Sequence, residues 1–111
     1  MRLHYAIKFV DDMDSAVAFH RDKLGLTLGF ASPFWSEFET GETKLALHPS
    51  SQENPAGTVQ LGFAVGDLDR FFEQGSRDGL TFTSEPKDVH GTRIARFLDC
   101  EGAEVSVSGS G

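Results

Sequence analysis

Cysteine is almost absent from this chain: Cys100 stands alone among 111 residues. One thiol allows no intrachain disulfide, no two-cysteine redox pair and no all-cysteine zinc site, and it suits a reducing compartment. Positive charge is also scarce, with 10 Lys and Arg against 17 Asp and Glu for a formal charge of -7. An acidic surface repels phosphate backbones, which excludes nucleic acid as the main partner. No apolar run approaches the roughly 20 residues of a membrane span; Lys8 and the pair Asp11-Asp12 interrupt the N-terminal one. Met1 to His4 leads straight into a strand-like pattern with no secretory signal, so the expected location is the cytoplasm. Ser15, Ser36 and the pair Ser50-Ser51 lack a nucleophile-elbow context, and the glycines form no phosphate-cradling motif. Phenylalanine, by contrast, is abundant: ten in one short chain supply a dense core for a single domain over residues 1–111.

An internal repeat organises the chain. Val10-Asp11-Asp12-Met13-Asp14 recurs half a chain later as Val65-Gly66-Asp67-Leu68-Asp69. Arg21-Asp22 and Gly25-Leu26-Thr27 are echoed by Arg77-Asp78 and Gly79-Leu80-Thr81, and the turn Thr40 to Thr43 by Asp99 to Gly102. Each copy opens with a strand rich in β-branched and aromatic residues, Leu3 to Val10 and Val59 to Val65. Asp12 and Asp67 then occupy N-cap positions. The first helix presents Met13, Ala16, Val17, His20 and Leu24 at helical spacing, and the second presents Leu68, Phe71, Phe72 and Gly75. Gly25 and Gly79 stop them. Three shorter strands follow in each copy: 26–31, 35–39 and 44–48, then 81–85, 92–98 and 104–108. The pattern is a tandem βαβββ, with modules at 1–48 and 59–108 around a linker at 49–58, and a flexible end from Ser108. The fold class is α+β: a curved mixed sheet, helices on its convex side and an open concave face for a small ligand.

This arrangement resembles the vicinal oxygen chelate superfamily, which holds glyoxalase I, bleomycin- and fosfomycin-resistance proteins and extradiol dioxygenases. The resemblance rests on Phe9-Val10-Asp11-Asp12-Met13, on Ala18-Phe19-His20-Arg21-Asp22-Lys23-Leu24-Gly25-Leu26, and on Gly91-Thr92-Arg93, Phe97-Leu98-Asp99 and Glu101-Gly102. It implies the glyoxalase/bleomycin-resistance fold. It also implies four metal-ligand positions in the metal-using members, which fall here on Tyr5, Ala46, Gln60 and Ser106. A one-residue slip would put His4 in place of Tyr5, and His48 shares a strand face with Ala46. An amide and a hydroxyl are weak ligands for zinc, nickel or iron, so no cofactor is expected. The alternative is a divalent ion (Zn, Ni, Mn or Fe) held by His48 with His4.

Other side chains bear on the ligand. The resemblance turns Arg96 to the cavity, where a buried guanidinium favours an anion; a surface salt bridge is its other reading. Trp35, beside Phe34 and Phe38, offers a stacking surface and equally suits core packing or dimer burial. The leading reading is a homodimer, as open sheet edges suggest, binding a small anionic or aromatic molecule through Tyr5, Trp35, His48, Gln60, Arg96 and Ser106 without an essential metal. Whether it is an enzyme stays open. The alternatives are a metal-dependent lyase, isomerase or dioxygenase of the glyoxalase type, and a non-catalytic interaction module.

Overall fold

A computed structural model describes residues 1–110. Two compact units divide it, His4–Gln60 and residues 61–110 with Met1–Leu3. Apart from the first two residues of β1 and of β5, which fall in the other unit, each holds one βαβββ copy of the repeat. The first runs β1 (Arg2–Val10), α1 (Met13–Ala18), β2 (Thr27–Phe30), β3 (Ser36–Glu39) and β4 (Lys44–Pro49). The second runs β5 (Val59–Asp67), α2 (Leu68–Arg77), β6 (Phe82–Val89), β7 (Thr92–Leu98) and β8 (Glu104–Ser110). Strand order is β2-β3-β4-β1 in one and β6-β7-β8-β5 in the other. In each, the first strand pairs in parallel with the last and the remaining pairs are antiparallel.

Both helices begin at the aspartates of the repeat. Asp12 accepts from the Ser15 amide at 3.1 Å and Asp67 from the Arg70 amide at 3.0 Å, removing one orphan donor at each helix start. The two Ser15 hydrogen bonds hold the Asp12 carboxyl below the usual carboxylate value.

The first helix departs from the single run to Leu24. α1 ends at Ala18 and the chain continues as a π-helical turn over Phe19–Lys23. The imidazole Nδ1 of His20 lies 2.7 Å from Ala16 O, competing for a carbonyl of the α ladder, and the Leu24 amide reaches five residues back to Phe19 O at 3.3 Å. Gly25, with φ of +71°, then closes the turn as the Leu26 amide bonds His20 O at 3.1 Å. His20 is therefore a structural histidine, its ring 5.7 Å from that of Phe38.

Alternation assigns the strand faces. Val17 and Met13 of α1 pack onto Phe38 and Leu47, with Val10 and Leu45 beside them. Leu68 of α2 packs onto Ala95, Phe97, Val105 and Val107. The opposite faces carry the polar side chains discussed below. At the C-terminal end the expected loose tail is ordered instead: β8 runs on to Ser110, which pairs with Asp67 and donates to Gly66 O at 2.6 Å. The backbone there is close enough that a Cβ on Gly109 would meet Val65 O at 2.5 Å, so only glycine fits.

Candidate functional site

In the first unit, β1 turns Tyr5, Ile7 and Phe9 away from α1, onto the same face as Ala46. The strand pairs Ile7 with Ala46 and Phe9 with His48, and β3 pairs Glu37 with Ala46. Simple amphipathicity would have placed Tyr5, Ile7 and Phe9 under the helix. Strict alternation on β3 and β4 explains the outcome, because the helix face is already filled by Phe38 and Leu47.

The centre of this face is Glu37, which the sequence gives little reason to choose. Its Oε1 accepts from Tyr5 Oη at 3.1 Å and from Trp35 Nε1 at 2.9 Å. Its Oε2 accepts from Lys44 Nζ at 3.0 Å. The carboxylate side chain is only 15% exposed. Burial pushes its pKa up, but the hydrogen bonds from Trp35, Lys44 and Tyr5 outweigh that and leave it below the ordinary carboxylate value. The same contacts act on its partners. Burial, then the Glu37 charge, pushes the Tyr5 phenol up, and the bond to Glu37 raises the Lys44 ammonium. Lys44 also lies 3.6 Å from Glu39 Oε1, itself laid over Gly29, where a Cβ would come within 2.7 Å of it.

These shifts fix a pH dependence. A depressed carboxylate contributes stability above its unfolded pKa and loses it as pH falls through the folded value. The melting temperature is therefore expected to fall on acidification below about pH 4.5, and Glu37→Gln is expected to flatten part of that slope. A thermal melt series from pH 7 to pH 3 on both proteins measures it, and parallel curves would show that Glu37 is not titrating in this range. The raised Tyr5 and Lys44 act in the other direction, their contributions being lost as pH rises above about 10.

Around Glu37 stands an aromatic array. The Tyr5 and Trp35 rings meet edge to face at 5.1 Å and 88°. His48 lies 6.4 Å from Trp35 and 5.3 Å from Phe9, and His4 lies 4.2 Å from Tyr5. His48 is exposed, and its Nδ1 sits 2.8 Å from Pro49 O, an arrangement that puts the proton on Nδ1 and leaves Nε2 as the acceptor of the neutral ring. Tyr5, Trp35 and His48 thus share one face.

In the second unit, Arg96 and Ser106 are direct partners across β7 and β8, on the face opposite Phe97 and Val105. Arg96 Nε is 4.0 Å from Glu104 Oε1, and Glu104 also accepts from Thr83 Oγ1 at 2.7 Å. Arg93 points the other way, to Asp69 on α2 at 2.7 Å, which raises its guanidinium pKa. Gln60, near the start of β5 and the last residue of the first unit, is buried. Strand register sets Arg96 opposite Ser106 as Glu37 lies opposite Ala46, and Glu104 two residues before Ser106 as Lys44 lies two before Ala46. The ionic pair is therefore kept with its charges reversed.

The donor set does not fit a resident metal at the four implied positions. Ala46 has no donor and is fully buried, and Tyr5 has its proton on Glu37. Gln60 and Ser106 bring an amide and a hydroxyl. Glu37, the one carboxylate beside Ala46, is already engaged by three donors. Among the described residues no three His, Cys, Asp or Glu side chains are grouped to hold an ion. No helix is long and apolar enough to cross a membrane.

A family model for the Glyoxalase/Bleomycin resistance protein/Dioxygenase superfamily matches residues 2–107. The uncharacterized protein YurT of Bacillus subtilis (strain 168) is 29% identical, over 89% of this chain and 91% of that one. Methylmalonyl-CoA epimerase from Mycobacterium tuberculosis superposes with a TM-score of 0.82 at 17% identity, covering 99% of this chain and 88% of its own. Hypothetical protein BH1468 from Bacillus halodurans C-125 does so with a TM-score of 0.79 at 16% identity, covering 99% and 94%. At these identities the structures speak for the fold alone. On the family match across residues 2–107, the chain belongs to the glyoxalase/bleomycin resistance protein/dioxygenase superfamily.

Proposed function

We propose that this protein binds a small planar aromatic molecule on the Tyr5–Trp35–His48 face and does so without an essential metal ion. The observation that carries the reading is the hold Glu37 has on the two aromatic side chains. It takes the polar edges of both Tyr5 and Trp35, fixing their orientation while both stay only half-buried. A ring pair fixed in advance loses little rotamer entropy when a ligand stacks on it. Of the two ligand characters expected from the sequence, the aromatic one has this support. The positive charge of Arg96 is partly offset by Glu104.

Such a binder works by burial and complementary polar groups. The lyase reading would need a Lewis acid where this chain has a methyl group, a phenol, an amide and a hydroxyl. The test uses Trp35 itself, the sole tryptophan. Protein stripped with EDTA is titrated with benzoate, benzylammonium and quinoline, following Trp35 fluorescence and melting temperature, with and without added zinc, nickel or manganese. At least one probe is expected to quench Trp35 and raise the melting temperature equally in both conditions. A response that appears only with an ion, or none with any probe, would overturn the reading.

A further inference from the structure

We infer that Glu37 is the specificity-determining residue of this face, and that it selects organic cations and rejects anions. The inference rests on the binding reading above and concerns the ligand's charge. A carboxylate offers about four lone-pair positions. Tyr5 and Trp35 take the two on Oε1 and Lys44 takes one on Oε2, which leaves one acceptor on Oε2. The protons of the Tyr5 hydroxyl and the Trp35 indole are both spent on Glu37, so neither ring has a donor for a ligand carboxylate. Apart from the Lys44 ammonium, which lies against Glu37 and Glu39, what the face presents outward is acceptor lone pairs and ring faces.

The charges point the same way. Two carboxylates, Glu37 and Glu39, surround one ammonium, Lys44, at 3.0 and 3.6 Å. A ring face carries partial negative charge and attracts a cation placed over it, and the Tyr5–Trp35 pair is held edge to face, 5.1 Å apart. Lys44 shows that an ammonium nitrogen fits against Oε2, and it acts as an internal occupant with which a ligand cation competes. The chain's net charge of -7 draws cations in from a distance.

Two probes of one shape and opposite charge decide it: benzylammonium and benzoate, with affinities measured by Trp35 fluorescence at neutral pH in the full chain. The native protein is expected to bind benzylammonium at least tenfold more tightly. Glu37→Gln keeps an acceptor oxygen for Tyr5 and Trp35 but removes the charge and frees Lys44, so the preference is expected to reverse, with benzylammonium weakened about tenfold and benzoate strengthened. Lys44→Met removes the competing ammonium and is expected to tighten benzylammonium severalfold. If both probes weaken equally in Glu37→Gln, Glu37 only supports the rings. If the native protein binds the two alike or prefers benzoate, the selection is wrong while aromatic binding stands. Binding of neither defeats the aromatic reading itself.

Discussion

Phe38→Ala is expected to lower the unfolding free energy by about 3–5 kcal/mol, the range for removing a buried phenylalanine without full collapse of the hole. Phe38 is fully buried, between Val17 of α1 and Leu47 of β4, with Met13, Leu28 and Leu45 packed around it. A domain of this size has roughly 5–15 kcal/mol in total, so the variant would stand near the edge of folding. Phe38→Leu keeps most of the volume and is expected to cost about 1–2 kcal/mol. Urea unfolding of both variants, read from Trp35 three residues away in the chain, gives the numbers. A cost under about 1 kcal/mol for the alanine variant would mean that α1 settles onto the sheet without it. The effect also reaches the candidate site. Phe38 and Glu37 are neighbours on β3 with opposite facings, so the packing of one fixes the other's register.

That register separates what the sequence made legible from what it did not. The repeat of Val10-Asp11-Asp12 in Val65-Gly66-Asp67 was enough to place both helix starts, because an aspartate N-cap is a local device whose effect needs no distant partner. Tyr5, Trp35 and His48 were legible as residue types suited to a ligand, and the structure sets them on one face. Glu37 was not. Its role depends on β1 lying parallel to β4 and on β3 lying antiparallel to it, which brings residues 5, 37 and 44 together although they are far apart in the chain. One signal was available: a charged residue between two others of a short strand, Ser36 and Phe38, both of which turn out fully buried. The π turn at Phe19–Lys23 was invisible for a different reason. It comes with a ring-to-carbonyl contact from His20 to Ala16, and helical spacing does not register such a contact.

Trp35→Ala is expected to weaken binding of the best aromatic probe about 100-fold, close to 2.7 kcal/mol, while costing about 2–3 kcal/mol of stability through lost packing and a lost hydrogen bond. Both numbers follow from where the ring sits. Trp35 lies just before β3, half-buried and packed against Ile7, Phe9 and Ala46, so one side of the ring serves the fold and the part left open serves a stacked ligand. The stability cost comes from the lost packing against Ile7, Phe9 and Ala46 together with the lost bond to Glu37 Oε1. Trp35→Phe separates the ring from its N–H. It keeps a stacking surface and loses the bond to Glu37, so binding is expected to stay within about fivefold of the native value if stacking dominates. Because fluorescence disappears with the tryptophan, the affinities are read by calorimetry and by ligand-dependent melting. An alanine variant that binds as tightly as the native protein would remove this face from consideration. A phenylalanine variant as weak as alanine would shift the weight from stacking to the orientation that Glu37 imposes through the indole N–H.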